Sequence, residues 1–407
     1  MLTENINGFR FNHPINGDRI AFCLMTKCLT LFAVMLLSSL TVRADEQDTV
    51  NVIAGLSRTL DDNFFRKSSP TVSEIITSAY VTLSVDKQIS MQRLKFDYTI
   101  NNLSYQNYST LNSTMNNYNA AWQFAITPRL MGSISTQKSE VQYGFLDATF
   151  TGKPQIGTSE VQNFVADWAP QGSLHFLAGF TRTLSLNSAN FQPDRGNTTN
   201  AIDWGVKYAF PSGSDITLME HYRKGRFANI SFGLPQSFSE NESEAKLNWL
   251  ISAKSSVNLR LGFVERMHDQ ENGVDFSSRD YADWVGDASA NWAPTAKIKI
   301  SISAESGIGV YQTANANYAR NNSLSFNSVY AGTNKILVRG IASISERVIE
   351  GGSNETDTIE SESLGLDWTP RRYVTIGAKL QRMSRSSSVV NRNFIDISSI
   401  FTANVNF

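Results

Sequence analysis

Apolar and polar residues alternate with period two through most of the chain beyond residue 49. Between Arg93 and Ile100, large apolar residues at even positions alternate with charged and hydroxyl residues at odd positions. The same alternation recurs at 174–180, 257–263, 298–302 and 374–380. Period two predicts β-strands with one apolar and one polar face, because successive side chains of a strand point to opposite sides. In a membrane barrel those two faces meet lipid and lumen.

A short phrase separates successive pairs of strands: an aromatic residue, then a turn, then a second alternating segment. Its clearest copies are Asp167–Pro170, Asn291–Pro294 and Asp367–Pro370. The predicted turn centres lie 37 to 43 residues apart, at Asp86, Thr127, Pro170, Ser212, Lys254, Thr295, Thr333 and Pro370. Eight turns that each join two strands, with one further strand at each end, predict 18 strands.

The predicted fold is therefore all-β: a single transmembrane antiparallel β-barrel of about 18 strands, integral to the bacterial outer membrane. An even strand number leaves both termini on the periplasmic side, so short periplasmic turns alternate with longer outer loops. The outer loops are expected near residues 60–74, 101–117, 137–160, 183–200, 224–240, 266–283, 305–323, 342–362 and 385–396.

Aromatic residues recur beside the short turns, on the apolar face. Amphipathic rings at that level form the interfacial girdle of a membrane barrel. The predicted periplasmic girdle comprises Trp122, Trp168, Trp204, Tyr208, Phe210, Trp249, Trp292 and Trp368. The last strand alternates in the same way and ends on an aromatic residue. We expect Phe401, Val405 and Phe407 to act as the terminal signal for the outer-membrane insertion machinery.

The first 44 residues read as an N-terminal extension and a cleaved signal peptide, and residues 45–407 as the barrel domain. An apolar core at 28–37 is too short to span a bilayer as a helix, and Val42–Ala44 offers small residues for cleavage. Met25 is the expected true start, because a basic segment then precedes the core. Cys23 and Cys28 both lie in or before the leader, so the mature chain is predicted to lack cysteine ligands and disulfides.

Composition narrows the function classes further. The formal net charge of -1 gives no reason to expect a nucleic-acid partner. No cofactor or metal site is predicted: Asp61–Asn63 has calcium-binding residue types without the spacing of a calcium loop. An enzyme is not expected, since His175, His221 and His268 show no nucleophile at a recognisable spacing.

Lysines and arginines collect on the polar face of the predicted strands. The expected lumen-lining basic residues are Arg93, Lys95, Lys207, Lys246, Arg260, Lys297, Lys299, Lys335, Arg339 and Lys379. By the same parity rule five aspartates oppose them: Asp97, Asp167, Asp203, Asp287 and Asp367. An excess of basic groups would favour anions in the lumen. The alternative is that the charges pair across strands and only solvate the wall.

Several segments resemble the EpsL family of outer-membrane barrels, which are associated with exopolysaccharide biosynthesis operons carrying an exosortase. The segments that carry the resemblance are Leu60–Arg66, Ser84–Gln88, Tyr105–Tyr108, Tyr118–Trp122, Thr127–Leu130, Tyr208–Ser214 and Asp367–Pro370. The resemblance implies a porin-like channel for exopolysaccharide export, with polysaccharide and polysaccharide-export proteins as partners. It supplies no binding residues to transfer.

Two alternatives remain open from the residues. One is a general or solute-specific diffusion porin, and the other is a non-conducting scaffold barrel of a polysaccharide secretion complex. In every case outer-membrane lipid and lipopolysaccharide are expected to surround the barrel. Tyrosines and asparagines at 102–118 also suggest a sugar-binding surface, although the same composition is ordinary for surface loops.

Overall fold

The computed structural model describes residues 49–146, 152–187, 196–228, 234–270, 273–313, 316–351 and 355–407, and the predicted leader lies outside them. They form 18 strands: β1 Val50–Asp61, β2 Glu74–Ile89, β3 Gln92–Tyr105, β4 Ser113–Thr127, β5 Leu130–Gln142, β6 Ile156–Trp168, β7 Leu174–Asn187, β8 Asn197–Ala209, β9 Asp215–Phe227, β10 Ser237–Ser252, β11 Ser255–His268, β12 Tyr281–Thr295, β13 Ile298–Thr313, β14 Ala316–Thr333, β15 Ile336–Glu350, β16 Thr356–Arg371, β17 Val374–Ser387 and β18 Phe394–Asn406. Two short 3₁₀ helices accompany them, at Ser109–Leu111 and Ser277–Arg279. No helix in the described ranges is long and apolar enough to cross a bilayer.

The strands close into one antiparallel barrel. Each strand pairs with its neighbours in the sequence, and β1 pairs with both β2 and β18. Closure leaves no free strand edge, which is what a β-structure needs in order to span lipid. The predicted fold and the count of 18 strands are confirmed.

The outer face of the barrel is apolar, as the alternation predicts. On β3, for example, Leu94, Phe96 and Ile100 are exposed, while Lys95 and Asp97 point to the other side of the sheet. A closed antiparallel barrel that exposes an apolar outer surface is the architecture of an integral outer-membrane protein. The polar face of every strand therefore lines the lumen.

The eight short turns lie at the end of the barrel where the chain leaves β18, and most occur where the phrase predicts them. The first prediction is wrong: Asp86 lies inside β2, paired with Lys95, and the turn follows at Ser90 and Met91. Pro370 likewise belongs to β16. At the opposite end the strands run further than predicted. Residues 305–313 and 316–323 are strand, where a loop is expected.

Candidate functional site in the barrel lumen

The ten predicted basic residues all lie on the polar face or in the turns next to it, but several are ion-paired. Arg93 pairs with Asp86, Lys207 with Asp167 at 2.9 Å, and Arg339 with Asp367 at 2.8 Å. Lys246 and Arg260 pair with glutamates of β10. Lys297 and Lys335 donate to the carbonyl oxygens of Gly332 and Pro370, near the ends of β14 and β16, and Lys379 donates to Gln381. Lys95 and Lys299 form no ion pair with a described residue.

Acidic groups on the polar face are far more numerous than the five aspartates of the sequence prediction. The strand registers add Asp61, Glu74, Asp86, Asp215, Glu240, Glu242, Glu244, Asp283, Glu305, Asp357 and Asp396. They add only four arginines: Arg223, Arg266, Arg347 and Arg385. The lumen as a whole is therefore not cationic, and the expected excess of basic groups is wrong. Lys246 is an even-numbered residue on the polar face of β10, so the even-numbered Glu240, Glu242 and Glu244 could have been assigned to the same face from the sequence.

A dense ion-pair network covers the lumen wall on β9 to β11. Glu242 accepts from Arg223 at 2.6 Å and from Arg260 at 2.8 Å, and all three side chains share the polar face. Glu240 accepts from Arg223 at 2.7 Å and from Arg266. The carboxylates on β10 are buried although they face the channel. Each is compensated within hydrogen-bond distance, so this wall presents little net charge to a solute.

Two histidines belong to the same kind of wall pairing. Nδ1 of His221 lies 2.6 Å from Asp203 Oδ1, and Nδ1 of His175 lies 2.6 Å from Asp167 Oδ1. Asp167 also accepts from Lys207. Each contact joins a histidine to an aspartate of the preceding strand, β7 to β6 and β9 to β8.

A cationic arc lies on β13, β15 and β17. Lys299, Arg339 and Lys379 occupy one hydrogen-bonded row across five strands, with Val329 and Gly365 on the strands between them. Alternate strands are about 10 Å apart, so the three cations follow the wall at that spacing. Asp367 compensates Arg339, while the two lysines have no carboxylate partner among the described residues. Among the described residues, this arc is one part of the lumen wall that retains positive charge.

The loop between β1 and β2 folds into an aromatic cluster at the outer end. The ring centroid of Phe64 lies 5.0 Å from those of Phe65 and Phe145 and 5.6 Å from that of Tyr105. Phe64, Tyr105 and Leu111 are buried, and Tyr108 stacks on Phe64. The tyrosines proposed to bind sugar at 105 and 108 therefore pack against phenylalanines.

Arg66 holds the base of this loop. Its guanidinium donates to Asp61 at 2.8 and 2.9 Å and lies 2.9 Å from Asp396 on β18. Carboxylate oxygens of Asp61, Asp62 and Asp396 lie within 4.8 Å of one another, as metal ligands would. In this protein the arginine supplies the positive charge to two of the three aspartates.

One contact crosses the barrel. Arg385 of β17 donates to the carbonyl oxygen of Leu146, in the connection between β5 and β6, at 2.6 Å. In the strand order β17 and β5 are six positions apart, so Leu146 and Arg385 meet over the lumen. Arg385 is buried, and its guanidinium also donates to Asp357 at 2.7 Å. Asp357 accepts a second hydrogen bond from Arg347 at 2.7 Å. We name Arg385, Asp357 and Leu146 the cross-lumen latch.

A second element narrows the same end. Pairing of β12 with β13 ends at Gly286 and Ser306, and above that point the β13–β14 hairpin covers the inner face of β12. The rings of Tyr281 and Tyr318 lie 4.5 Å apart, and Arg320 pairs with Asp283. Since residues 281 and 283 belong to the polar face, the hairpin leans inward. The outer mouth is therefore constricted from two sides.

The predicted girdle residues are all exposed large aromatics. Trp168, Trp249, Trp292 and Trp368 lie on the apolar face within a few residues of the short turns, and Tyr208 and Phe210 lie at the β8–β9 turn. Trp122 and Trp204 lie higher on their strands, five residues before the ends of β4 and β8. Phe401 and Val405 share one face of β18, and Phe407 follows its last residue.

Solved structures share this architecture. OccK1 (OpdK) of Pseudomonas aeruginosa aligns with a TM-score of 0.50 at 12% identity, over 88% of this chain and 99% of its own. A BenF-like porin from Pseudomonas fluorescens Pf-5 gives 0.51 at 11% identity, over 89% and 99%. OccK2 (OpdF) of Pseudomonas aeruginosa gives 0.52 at 9% identity, over 89% and 98%. At these identities the likeness establishes the fold. No family model and no curated protein matches the chain.

Proposed function

We propose that this protein is a diffusion porin that admits small hydrophilic solutes through a constricted outer mouth. The observation that carries the proposal is the cross-lumen latch, in which Leu146 and Arg385 join two walls six strands apart. Barrels of 16 to 18 strands are wide enough to leave an aqueous channel. A contact held across that channel limits the size of what passes while leaving the wall intact.

The solutes favoured by this channel carry negative charge. On β9 to β11, carboxylates and guanidinium groups neutralise one another, whereas Lys299 and Lys379 lack carboxylate partners among the described residues. Lys95 adds a third such group on β3. A solute that enters past the mouth meets these cations at the arc, and a local positive potential raises the concentration of anions there.

Exopolysaccharide export is the second candidate, and the resemblance to the EpsL family favours it. A polymer in transit occupies the whole length of a channel, so the latch would have to open for each chain. The fold comparisons lend this reading no support, while one of the similar structures is named a porin. Diffusion of small solutes therefore fits the described geometry better.

Single-channel recording in planar bilayers tests the proposal on protein purified from outer membranes. We expect stepwise conductance, and a reversal potential of anion-selective sign in asymmetric potassium chloride at low salt. Carboxylated disaccharides should block the current at lower concentration than neutral disaccharides. Liposome-swelling assays with sugars of rising length should show a sharp size limit.

Other outcomes separate the candidates. Block by long acidic oligosaccharides, with none by acidic disaccharides, would favour export. A protein that folds and inserts but conducts no current would be a scaffold barrel. Cation selectivity at low salt would contradict the proposal that the arc attracts anions. It would leave the proposal of a diffusion channel unaffected.

A further inference from the structure

Three basic side chains form a patch on the outer surface of β7 and β9, and we name Arg182, Lys224 and Arg226 the outer basic patch. Arg182 and Lys224 lie in register with Asn200 of β8 between them, and all of these side chains are exposed. Arg182 is the ninth residue from the short-turn end of β7, and Lys224 and Arg226 are the tenth and twelfth of β9. About ten residues of a strand cross the hydrocarbon, so the patch lies at the level of the outer headgroups.

No carboxylate neutralises the outer basic patch. None of its three cations has an ion-pair partner among the described residues, and the ammonium of Lys224 lies 5.8 Å from the ring centroid of Tyr222. On the neighbouring β6, the outward carboxylate of Glu160 lies in register with Lys138 of β5. The patch therefore keeps a positive charge that an anionic ligand can compensate.

The same level carries a different charge on other strands. Glu362 and Glu360 are the tenth and twelfth residues from the short-turn end of β16, and Glu346 is the eleventh of β15. Arg382 of β17 lies in register with Glu362, so its charge has a neighbouring carboxylate. Arg58 of β1 also faces outward at the ninth position, but it is a single cation. Among the described strands, unpaired outward cations are clustered only on β7 and β9.

An apolar groove of about 660 Å³ lies beside the patch, in the outer half of the hydrocarbon band. Its floor is formed by Ala120 of β4 and Thr136 of β5, which lie in register. Two small side chains on adjacent strands leave a depression about 10 Å wide, the breadth of two strands. The groove reaches Gln162, which lies in register with Arg182. The aromatic side chains that line it are Phe96, Trp122, Phe164 and Phe180.

We propose that the outer basic patch and this groove together bind one phosphorylated glycolipid of the outer leaflet, the lipid A part of lipopolysaccharide. The guanidinium groups of Arg182 and Arg226 match a phosphate with paired hydrogen bonds, and their long side chains extend into the headgroup region. Asn200 offers an amide donor between the two strands. An acyl chain of the same molecule packs on Ala120 and Thr136. The groove favours a lipid over an acidic protein, which has no acyl chain to fill it.

Native mass spectrometry of the full chain in a non-ionic detergent tests the patch, with diphosphorylated lipid A as the probe. We expect one tightly bound lipid A per barrel. The double variant Arg182→Ser, Arg226→Ser should weaken binding ~10-fold or more, because charge-assisted hydrogen bonds to phosphate are lost. Arg58→Ser is the matched control, since it removes an outward cation at the same level, between Thr77 and Phe401. Equal binding by the double variant and the control would overturn the proposal.

The variant Thr136→Phe tests the groove, because its ring fills the floor without changing any charge. Heat-dependent gel mobility first shows that each variant folds. We expect lipid A to bind this variant ~10-fold more weakly as well, and unchanged binding by the folded variant would overturn the role of the groove. Dephosphorylated lipid A should bind the parent protein no better than lipid A binds the double variant. Displacement of lipid A by an equal concentration of phosphatidylglycerol would overturn the assignment to a glycolipid.

Discussion

Tyr80 donates its hydroxyl hydrogen bond to Oδ1 of Asn404 at 2.8 Å, across the strand that lies between them. The two residues are on β2 and β18, and β1 separates them at Gly55. A Cβ atom at Gly55 would lie 2.3 Å from the tyrosine ring. The absence of a side chain there lets the ring lie flat over the seam where the barrel closes.

Gly55→Ala is expected to destabilise the closed barrel by about 1–3 kcal/mol, the usual cost of overpacking. The measurement is the temperature at which the folded band disappears on a gel, with urea unfolding as a second probe. Gly307→Ala is the matched control, because its nearest neighbour atom is the flexible carboxylate of Glu305 at 3.7 Å. Equal stability of the two variants would show that the seam tolerates a methyl group.

Arg385→Met should open the outer mouth. The substitution keeps an unbranched apolar stem and removes the donor to the Leu146 carbonyl, so Leu146 loses its contact with β17. We expect a higher single-channel conductance and a larger size limit in liposome swelling. Asp357 keeps Arg347 as a partner, which limits the loss of stability to less than the ~3–5 kcal/mol of a fully broken buried pair.

Arg392→Met is the control for the latch. Arg392, in the connection between β17 and β18, pairs at 3.1 Å with Glu355, which directly precedes β16 at the same end of the barrel. This substitution removes the same charge. Its conductance should match that of the parent protein. An equal rise in both variants would mean that charge at the mouth, and not the latch, governs the current.

The double variant Lys299→Ser, Lys379→Ser should shift the reversal potential towards cation selectivity. The shift should be largest at 0.01–0.1 M salt and nearly absent at 1 M, because the Debye length falls from about 10 Å at 0.1 M to about 3 Å at 1 M. Lys224→Ser is the control, since Lys224 lies on the outer face of β9. A shift that persists at 1 M salt would argue against an electrostatic origin.

Glu242→Gln should lower the free energy of unfolding by about 1–3 kcal/mol, the range for weakened hydrogen bonds between charged groups. Arg223 and Arg260 each lose one charged partner, while Arg223 keeps Glu240 and Arg260 keeps Glu244 and Asp287. Urea unfolding in detergent measures the change. Glu265→Gln on the outer face of β11 is the control and should alter stability by less than ~1 kcal/mol. A small effect at both positions would show that the neighbouring glutamates suffice.

The sequence by itself determined the barrel, the strand number and the side of each strand that meets lipid. Period-two alternation predicts all three, because the face of each strand that contacts lipid must carry apolar side chains. The alternation predicts strands only within the part of the barrel that contacts hydrocarbon. At 305–313 glycines and polar residues break the alternation of large apolar side chains, so the sequence predicts a loop although the backbone still pairs.

Only the tertiary structure decided how the lumen is charged and how its mouth is narrowed. Arginines of neighbouring strands compensate the negative charges of Glu240 and Glu242, because the strand register brings them within ion-pair distance. Arg385 and Leu146 are 239 positions apart in the sequence, and their contact exists because closure brings distant strands to face one another. The local alternation of residues predicts whether a side chain faces lipid or the lumen. Contacts across a closed barrel depend instead on the register of all its strands.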